Sequence, residues 1–115
     1  MNHIRLFPRY DVRKLKSLIE VDYQIQEGWL LKDIGLGGIQ IRCSEPIQLE
    51  GENRRIKIKL FGKEEVLLSV TQCWSEEREN EHLAGFKLYF EDLETFARWR
   101  KVLKALHMVL NKKKN

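Results

Sequence analysis

Hydrophobic and polar residues alternate through the middle of the chain, and this two-residue period restricts the fold more than any other feature. The alternation is clearest in Ile56–Leu60 and in Val66–Val70. Successive side chains of a β-strand point to opposite faces of a sheet, so each segment predicts a half-buried strand. The intervening Phe61-Gly62-Lys63 predicts a hairpin turn.

The same pattern predicts six strands with no helix between them. The expected strands are Leu18–Ile25, Trp29–Ile34, Ile39–Cys43, Ile56–Leu60, Val66–Trp74 and Leu83–Phe90. Turns are expected at Gln26–Gly28 and Gly35–Gly38, where glycines permit positive φ and close backbone approach, and a charged loop at Ser75–Glu81. Short links imply an antiparallel sheet, and a sheet of this size is expected to close into a Greek-key-like β-barrel that has no free edges.

After Glu91 the hydrophobic period changes to that of a helix. Asp92 is a suitable N-cap, and apolar residues then recur at three- and four-residue steps: Leu93, Phe96, Trp99, Leu103, Leu106 and Leu110. The fold class is therefore all-β with one C-terminal helix. Two roles stay open for this helix, either plugging one end of the barrel or extending beyond it to pair with a second copy.

Length and composition describe one ordinary domain of 115 residues, 43% hydrophobic and 33% charged. No apolar run reaches the ~18–20 residues that a membrane span needs, so we expect a cytoplasmic protein. Cys43 and Cys73 have no metal-ligand spacing and are expected to be free thiols, buried or half-buried in strands. Neither a catalytic arrangement nor a metal-binding pattern is recognisable, which predicts a non-enzyme without metal or cofactor.

Cationic residues crowd the N-terminus, whereas most acidic residues lie in the middle of the chain. The cations are Arg5, Arg9, Arg13, Lys14 and Lys16. We divide the chain into a flexible basic arm (residues 1–16), a barrel with its helix (17–110) and a basic tail (111–115). The arm is expected to bind an anion.

Two short motifs are separated by one predicted strand and one hairpin, the first just before the first strand and the second at the end of the second strand. Arg5-Leu-Phe-Pro-Arg9 has the form RxxxR, and Asp33-Ile-Gly-Leu-Gly-Gly38 has the form DxGxxG. Their order and spacing resemble the paired motifs of the PilZ family, RxxxR and [DN]xSxxG. The resemblance covers nearly the whole chain and implies a split-barrel fold that binds the bacterial second messenger cyclic di-GMP.

The chemistry of that ligand suits the motif residues. Arginine pairs bidentately with phosphate, donates to guanine O6 and N7, and stacks on purines, so Arg5 and Arg9 are expected to clamp the ligand. Asp33 is expected to accept hydrogen bonds from guanine, and Gly38 to let the ligand approach the backbone. Arg13 offers a second reading of the arginine pair, Arg9–Arg13, and is expected to reach a phosphate.

Gly35 stands where the family pattern has serine. A lost hydroxyl hydrogen bond typically costs ~0.5–1.5 kcal/mol, or ~1.5–3 with a charged partner, so we expect weakened binding. On this reasoning, Gly35→Ser should strengthen it.

Three functions are weighed. The first is a cyclic di-GMP receptor, monomeric or weakly dimeric, that signals through a separate effector protein to control motility, biofilm or exopolysaccharide. The second is an adaptor of the same fold that has lost the ligand and works by protein contacts alone. The third is a small nucleic-acid-binding barrel, suggested by the basic strand Arg54–Lys59 but disfavoured because no aromatic side chains accompany its lysines.

Overall fold

The computed structural model describes residues 8–51, 53–60 and 64–112. Eight antiparallel strands form one sheet in the order β1-β4-β5-β8-β7-β6-β2-β3. The strands are β1 (Arg9–Asp11), β2 (Ser17–Val21), β3 (Gln24–Ile25), β4 (Leu30–Gly35), β5 (Gly38–Cys43), β6 (Arg54–Leu60), β7 (Glu64–Arg78) and β8 (Glu81–Tyr89). One helix, α1 (Leu93–Lys112), follows the last strand.

The prediction of an antiparallel β-fold with one C-terminal helix is confirmed, but the closed six-stranded barrel is wrong. The sheet has eight strands and is not closed. One additional strand, β1, comes from the segment predicted to be a flexible arm, because Arg9–Asp11 pairs with β4. The other arises because Asp22 and Tyr23, both with positive φ, turn the chain and divide the predicted strand Leu18–Ile25 into β2 and β3.

The charged loop expected at Ser75–Glu81 is also largely strand. β7 continues to Arg78 and pairs with β8 across a turn at Glu79 and Asn80, which both have positive φ. The residues of this extension are mostly exposed. Backbone pairing and surface ion pairs such as Arg78–Glu76 therefore maintain this ribbon, and burial periodicity gives no sign of it.

The hydrophobic core lies between the inner face of the sheet and the buried side of α1. Ile34, Ile39, Ile41, Ile56 and Leu68 are among the fully buried strand residues. The helix contributes Trp99, Val102, Leu103 and Leu106 to the same core. Of the predicted apolar face of the helix, Leu93 is exposed instead, because it occupies the first turn, beyond the part that packs on the sheet.

The N-cap predicted at Asp92 is confirmed, since its carboxylate accepts a hydrogen bond from the Thr95 backbone N–H at 2.6 Å. Both cysteines are free thiols; Cys43 is half-buried as expected, whereas Cys73 is exposed. Within the described ranges, no helix has the length and apolarity to cross a membrane.

Candidate functional site

The structure brings Arg9 of the first motif into direct contact with Asp33 of the second. Arg9 Nε donates a hydrogen bond to Asp33 Oδ1 at 2.9 Å, and Arg9 Nη2 donates to the same oxygen. Both side chains are largely covered, with 23% and 19% of their surfaces exposed. Among the described residues, Asp33 Oδ2 accepts no hydrogen bond and Arg9 Nη1 donates none. The pair is therefore fixed in position yet retains one acceptor and one donor group.

Asp33 reaches this position because β4 contains a β-bulge. Leu31 lies opposite Ile41 of β5, but Asp33 lies opposite Gln40, so Lys32 is the extra residue. A bulge changes which side chain faces outward. Asp33 consequently points to the outer face of the sheet, while the flanking Leu31 and Ile34 both remain in the core.

The two outer glycines of the second motif permit close packing around Arg9. An ideal Cβ on Gly35 would lie 3.2 Å from both Arg9 Cγ and the Pro8 carbonyl oxygen. An ideal Cβ on Gly38 would lie 3.3 Å from Arg9 Nη1 and 3.1 Å from the Phe86 carbonyl oxygen. Neighbouring atoms therefore approach both glycines closely, as expected from the sequence. The expected positive φ is not found, because among described glycines only Gly28 and Gly51 adopt it.

Arg9 forms one edge of an open groove of about 250 Å³ on the outer face of the sheet. The far wall is Trp74 of β7, whose indole lies directly on the backbone of Gly85; an ideal Cβ there would overlap the ring at 2.2 Å from Nε1. Gln40 and Lys87 also line the groove, and Lys87 lies directly opposite Gly38 in the sheet register. The groove thus combines two cations, one exposed aromatic face and an amide.

A second β-bulge directs Trp74 into this groove. Gln72 lies opposite Phe86, whereas Trp74 lies opposite Gly85, which makes Cys73 the extra residue. Gln72 is held by two hydrogen bonds, one from the Leu49 backbone N–H at 2.7 Å and one to the Ile47 carbonyl at 2.8 Å. The bulge therefore has a supported geometry, and the indole remains 38% exposed.

Helix α1 is bonded directly to the second motif. The buried Trp99 indole N–H donates a hydrogen bond to the Gly35 carbonyl oxygen at 2.9 Å. On the neighbouring strand, the Tyr10 hydroxyl lies 3.4 Å from His107 Nδ1, and the two rings meet edge to face. The end of β4 and strand β1 are thus both attached to the helix.

The remaining predicted site residues lie elsewhere. Arg5 falls outside the described residues. Arg13 does not reach the groove; its guanidinium donates to both carboxylate oxygens of Asp11. This hydrogen bonding holds the pKa of the Asp11 carboxyl below its usual value. Gly35 lies beneath Arg9 and does not line the groove.

The known proteins that match this chain are solved structures, and these matches support the fold strongly. No protein-family model and no curated protein matches the sequence. The structure of Klebsiella pneumoniae MrkH in complex with c-di-GMP matches with a TM-score of 0.77 at 17% identity, over 97% of this chain and 55% of that one. Escherichia coli YcgR in complex with c-di-GMP gives 0.72 at 14% identity, over 96% and 49%.

A third match is the Bacillus subtilis inhibitor of motility MotI/DgrA, with a TM-score of 0.64 at 15% identity, over 99% of this chain and 55% of that one. The fold is PilZ-like. This chain spans about half the length of each of these proteins. The part they share is therefore the PilZ-like unit that carries the Arg9–Asp33 pair here.

Two residues of the groove, Trp74 and Lys87, were absent from the sequence-based site. The sequence carried no signal for Trp74: it is in phase with Val66, Leu68 and Val70, which predicts an inward side chain, and only the bulge at Cys73 turns it outward. Conversely, the lysines that suggested nucleic-acid binding are ion-paired in the PilZ-like fold. Lys57 lies 3.4 Å from Glu20 and Lys59 lies 3.8 Å from Glu65. These contacts reduce the free positive charge on that face.

Proposed function

We propose that this protein is a cytoplasmic receptor for cyclic di-GMP that binds the ligand in the groove between Arg9 and Trp74. The single observation that carries the proposal is the contact between Arg9 and Asp33, which unites the two motifs beside a groove in a PilZ-like fold. Two solved proteins of similar fold, MrkH and YcgR, are complexed with this ligand. The signal passes to a separate effector protein that controls motility, biofilm or exopolysaccharide.

The groove provides suitable chemistry for each part of a cyclic dinucleotide. Arg9 Nη1 lies beside Gly38, and Lys87, opposite Gly38 in the sheet register, holds its ammonium 5.4 Å from the centre of the Tyr89 ring; phosphate oxygens of the ligand accept hydrogen bonds from both cations. The exposed face of Trp74 stacks on a guanine base, an interaction worth about 1–3 kcal/mol per base in single-strand binders. Asp33 does not line the groove itself but contacts Arg9 at its edge, and from there its Oδ2 accepts hydrogen bonds from guanine N–H groups.

In this arrangement Asp33 has a second role, which is to orient Arg9. A guanidinium that already donates through Nε and Nη2 has lost most of its rotamer freedom before the ligand arrives. Preorganisation of this kind lowers the entropic cost of binding. Arg5 remains proposed as the second arginine of the clamp, and Gly38 as the position at which the ligand meets the backbone.

Calorimetric titration with cyclic di-GMP tests the proposal, with GMP as the control ligand. Arg9→Ala removes a charged hydrogen-bond donor, for which we expect a loss of about 1.5–3 kcal/mol, or roughly 10- to 100-fold in affinity. Arg13→Ala is the matched control. It removes the same charge at a position four residues after Arg9, where the guanidinium is hydrogen-bonded to Asp11. We expect its affinity to stay within about 2-fold of the wild type.

Thermal melts of both variants would show whether each remains folded during the titration. Equal losses in Arg9→Ala and Arg13→Ala would mean that only the net charge matters and would contradict the proposed site. An absence of saturable binding by the folded wild type would favour the alternative of an adaptor that works through protein contacts alone.

A further inference from the structure

A second groove lies between strand β1 and helix α1, on the face of β1 opposite to Arg9. Its apolar part consists of Pro8, Tyr10, Leu36 and Leu103, and its edge carries Arg100 and Lys104; its volume is about 280 Å³. Residues alternate in direction along a strand, so Pro8 and Tyr10 face this groove while Arg9 faces the ligand groove. The two grooves therefore share one short strand.

The two cations at its edge have no carboxylate partner in the part of the chain that the structure describes. Arg100 and Lys104 are exposed and stand four residues apart, hence on adjacent turns of one helix face. No acidic residue in the described ranges forms an ion pair with either, although seven ion pairs occur elsewhere on the described surface. The Arg100 guanidinium instead lies 5.9 Å from the centre of the Phe96 ring. The groove thus presents an apolar floor beside two uncompensated positive charges.

We propose that this groove docks an acidic, partly apolar segment of a protein partner. An apolar side chain of the partner packs against Tyr10, Leu36 and Leu103, and two of its carboxylates pair with Arg100 and Lys104. Charge complementarity of this kind selects partners and accelerates their association. A peptide that meets these requirements needs acidic residues spaced to match one helical turn, with an apolar residue beside them.

Single-stranded nucleic acid and an anionic bilayer fit the groove less well than an acidic peptide. Binding of single-stranded nucleic acid relies on exposed aromatic faces for base stacking. Tyr10 is half-buried here, and its ring and hydroxyl contact His107. A bilayer presents a flat surface, whereas the apolar floor is recessed between β1 and the cations of α1; Leu103 is only 8% exposed.

Ligand binding in one groove is coupled to partner binding in the other, and this coupling rests on the proposed function. A ligand that bonds to the preorganised Arg9 holds β1 more firmly in place, and with it Pro8 and Tyr10, which form a wall of the partner groove. On the helix, Trp99 bonds to the Gly35 carbonyl one turn before Leu103. Cyclic di-GMP therefore changes the affinity for the acidic segment by restraining β1.

The test begins with selection of short random peptides displayed against the full chain. Enriched peptides are then synthesised, and their affinities are measured by fluorescence anisotropy with and without cyclic di-GMP. The key variant is Arg100→Glu/Lys104→Glu. Its matched control, Arg98→Glu/Lys101→Glu, makes the same change in net charge at exposed positions of the same helix that do not line the groove.

We expect the enriched peptides to combine acidic and apolar residues. Their affinity should fall at least about 10-fold in the Arg100/Lys104 variant and within about 2-fold in the control. Failure to enrich any peptide, enrichment without acidic residues, or equal losses in both variants would overturn the proposal. So would binding of oligo-dT or of phosphatidylglycerol vesicles, instead of peptides, that is lost in the Arg100/Lys104 variant alone.

The ligand titration separates this inference from the proposed function. The Arg100/Lys104 variant should bind cyclic di-GMP with unchanged affinity, because neither residue lines the ligand groove. If the wild type binds no cyclic di-GMP but binds acidic peptides as described, the receptor proposal fails and the docking site stands. Peptide affinity that is unchanged by saturating cyclic di-GMP would refute the coupling.

Discussion

The indole N–H of Trp99 donates a hydrogen bond to the carbonyl oxygen of Gly35 at 2.9 Å, with the indole fully buried. This contact joins the C-terminal helix to the glycine motif that borders the candidate ligand groove. Since Arg9 packs on the same glycine, the helix, the motif and strand β1 meet at one residue.

Replacement of Trp99 by Phe should destabilise the protein. The buried Gly35 carbonyl loses its donor, which typically costs about 1–3 kcal/mol, and the smaller phenyl ring leaves a cavity that adds to this cost. Urea unfolding monitored by circular dichroism measures the change in the free energy of unfolding. Trp74→Phe is the control, because Trp74 is partly exposed and has no hydrogen bond through Nε1 within the described ranges; a loss as large in the control would contradict this account.

Replacement of Trp74 by Ala should weaken binding of cyclic di-GMP by about 1–3 kcal/mol, the usual worth of one aromatic stacking face. Trp74→Phe keeps an aromatic face and should retain most of the affinity. Calorimetry on the three proteins provides the comparison. If the Ala and Phe variants bind equally well, Trp74 does not stack on the ligand.

Gly35 leads to a prediction that differs from the one based on sequence. The missing serine hydroxyl suggested that Gly35→Ser would strengthen binding. In the structure, however, a Cβ at this position lies 3.2 Å from both the Pro8 backbone oxygen and Arg9 Cγ, so these atoms must move by a few tenths of an ångström. We therefore expect Gly35→Ser and Gly35→Ala both to weaken ligand binding, to a similar extent. Tighter binding by the Ser variant alone would show that the hydroxyl, and not the space, limits affinity.

The contact between Asp11 and Arg13 predicts a specific dependence on pH. The pKa of Asp11 is lowered from 3.8, first by the side-chain hydrogen bond from Arg13 and then by the backbone N–H of the same residue. A lowered pKa in the folded state stabilises the protein above the unfolded-state pKa, and this contribution is lost as the pH falls through the folded-state value.

In Arg13→Ala the backbone donor remains, so the Asp11 pKa should rise only part of the way toward 3.8. Carboxyl carbon NMR titration measures that pKa directly. The difference in unfolding free energy between wild type and variant should be present at neutral pH and disappear in acid. A difference that persists below the folded-state pKa of Asp11 would assign the effect to something other than this ion pair.

The sequence predicted the antiparallel sheet, the helix and the Asp92 cap because each has a local signal in period or residue type. It did not predict β1, since three residues are too few to show a period and only pairing with β4 fixes them. The turn at Asp22 and Tyr23 contains no glycine, and Asp22 alone is a weak sign of positive φ. Tertiary pairing therefore determined the features that changed the strand number from six to eight.

In the candidate site, too, some residues have a local signal in the sequence and others depend on tertiary structure. Arg9, Asp33 and Gly38 were chosen from motifs, and the structure places them together. Trp74 entered only with the structure, because a bulge at Cys73 determines which residue of β7 faces the groove. The corresponding bulge in β4 does have a signal in the sequence. The apolar residues Leu31 and Ile34 are three residues apart and both buried, whereas a regular strand would place them on opposite faces.

The most direct test of the ligand groove is a titration of isotopically labelled protein with cyclic di-GMP, followed by two-dimensional proton–nitrogen NMR. We predict saturable shifts of the Gly38, Gln40 and Gly85 amides and of the Trp74 indole N–H, all of which border the groove. The amides of Arg55 and Ser69, which line a separate pocket, should not shift. Shifts confined to that pocket, or none at saturating ligand, would contradict the proposed receptor function.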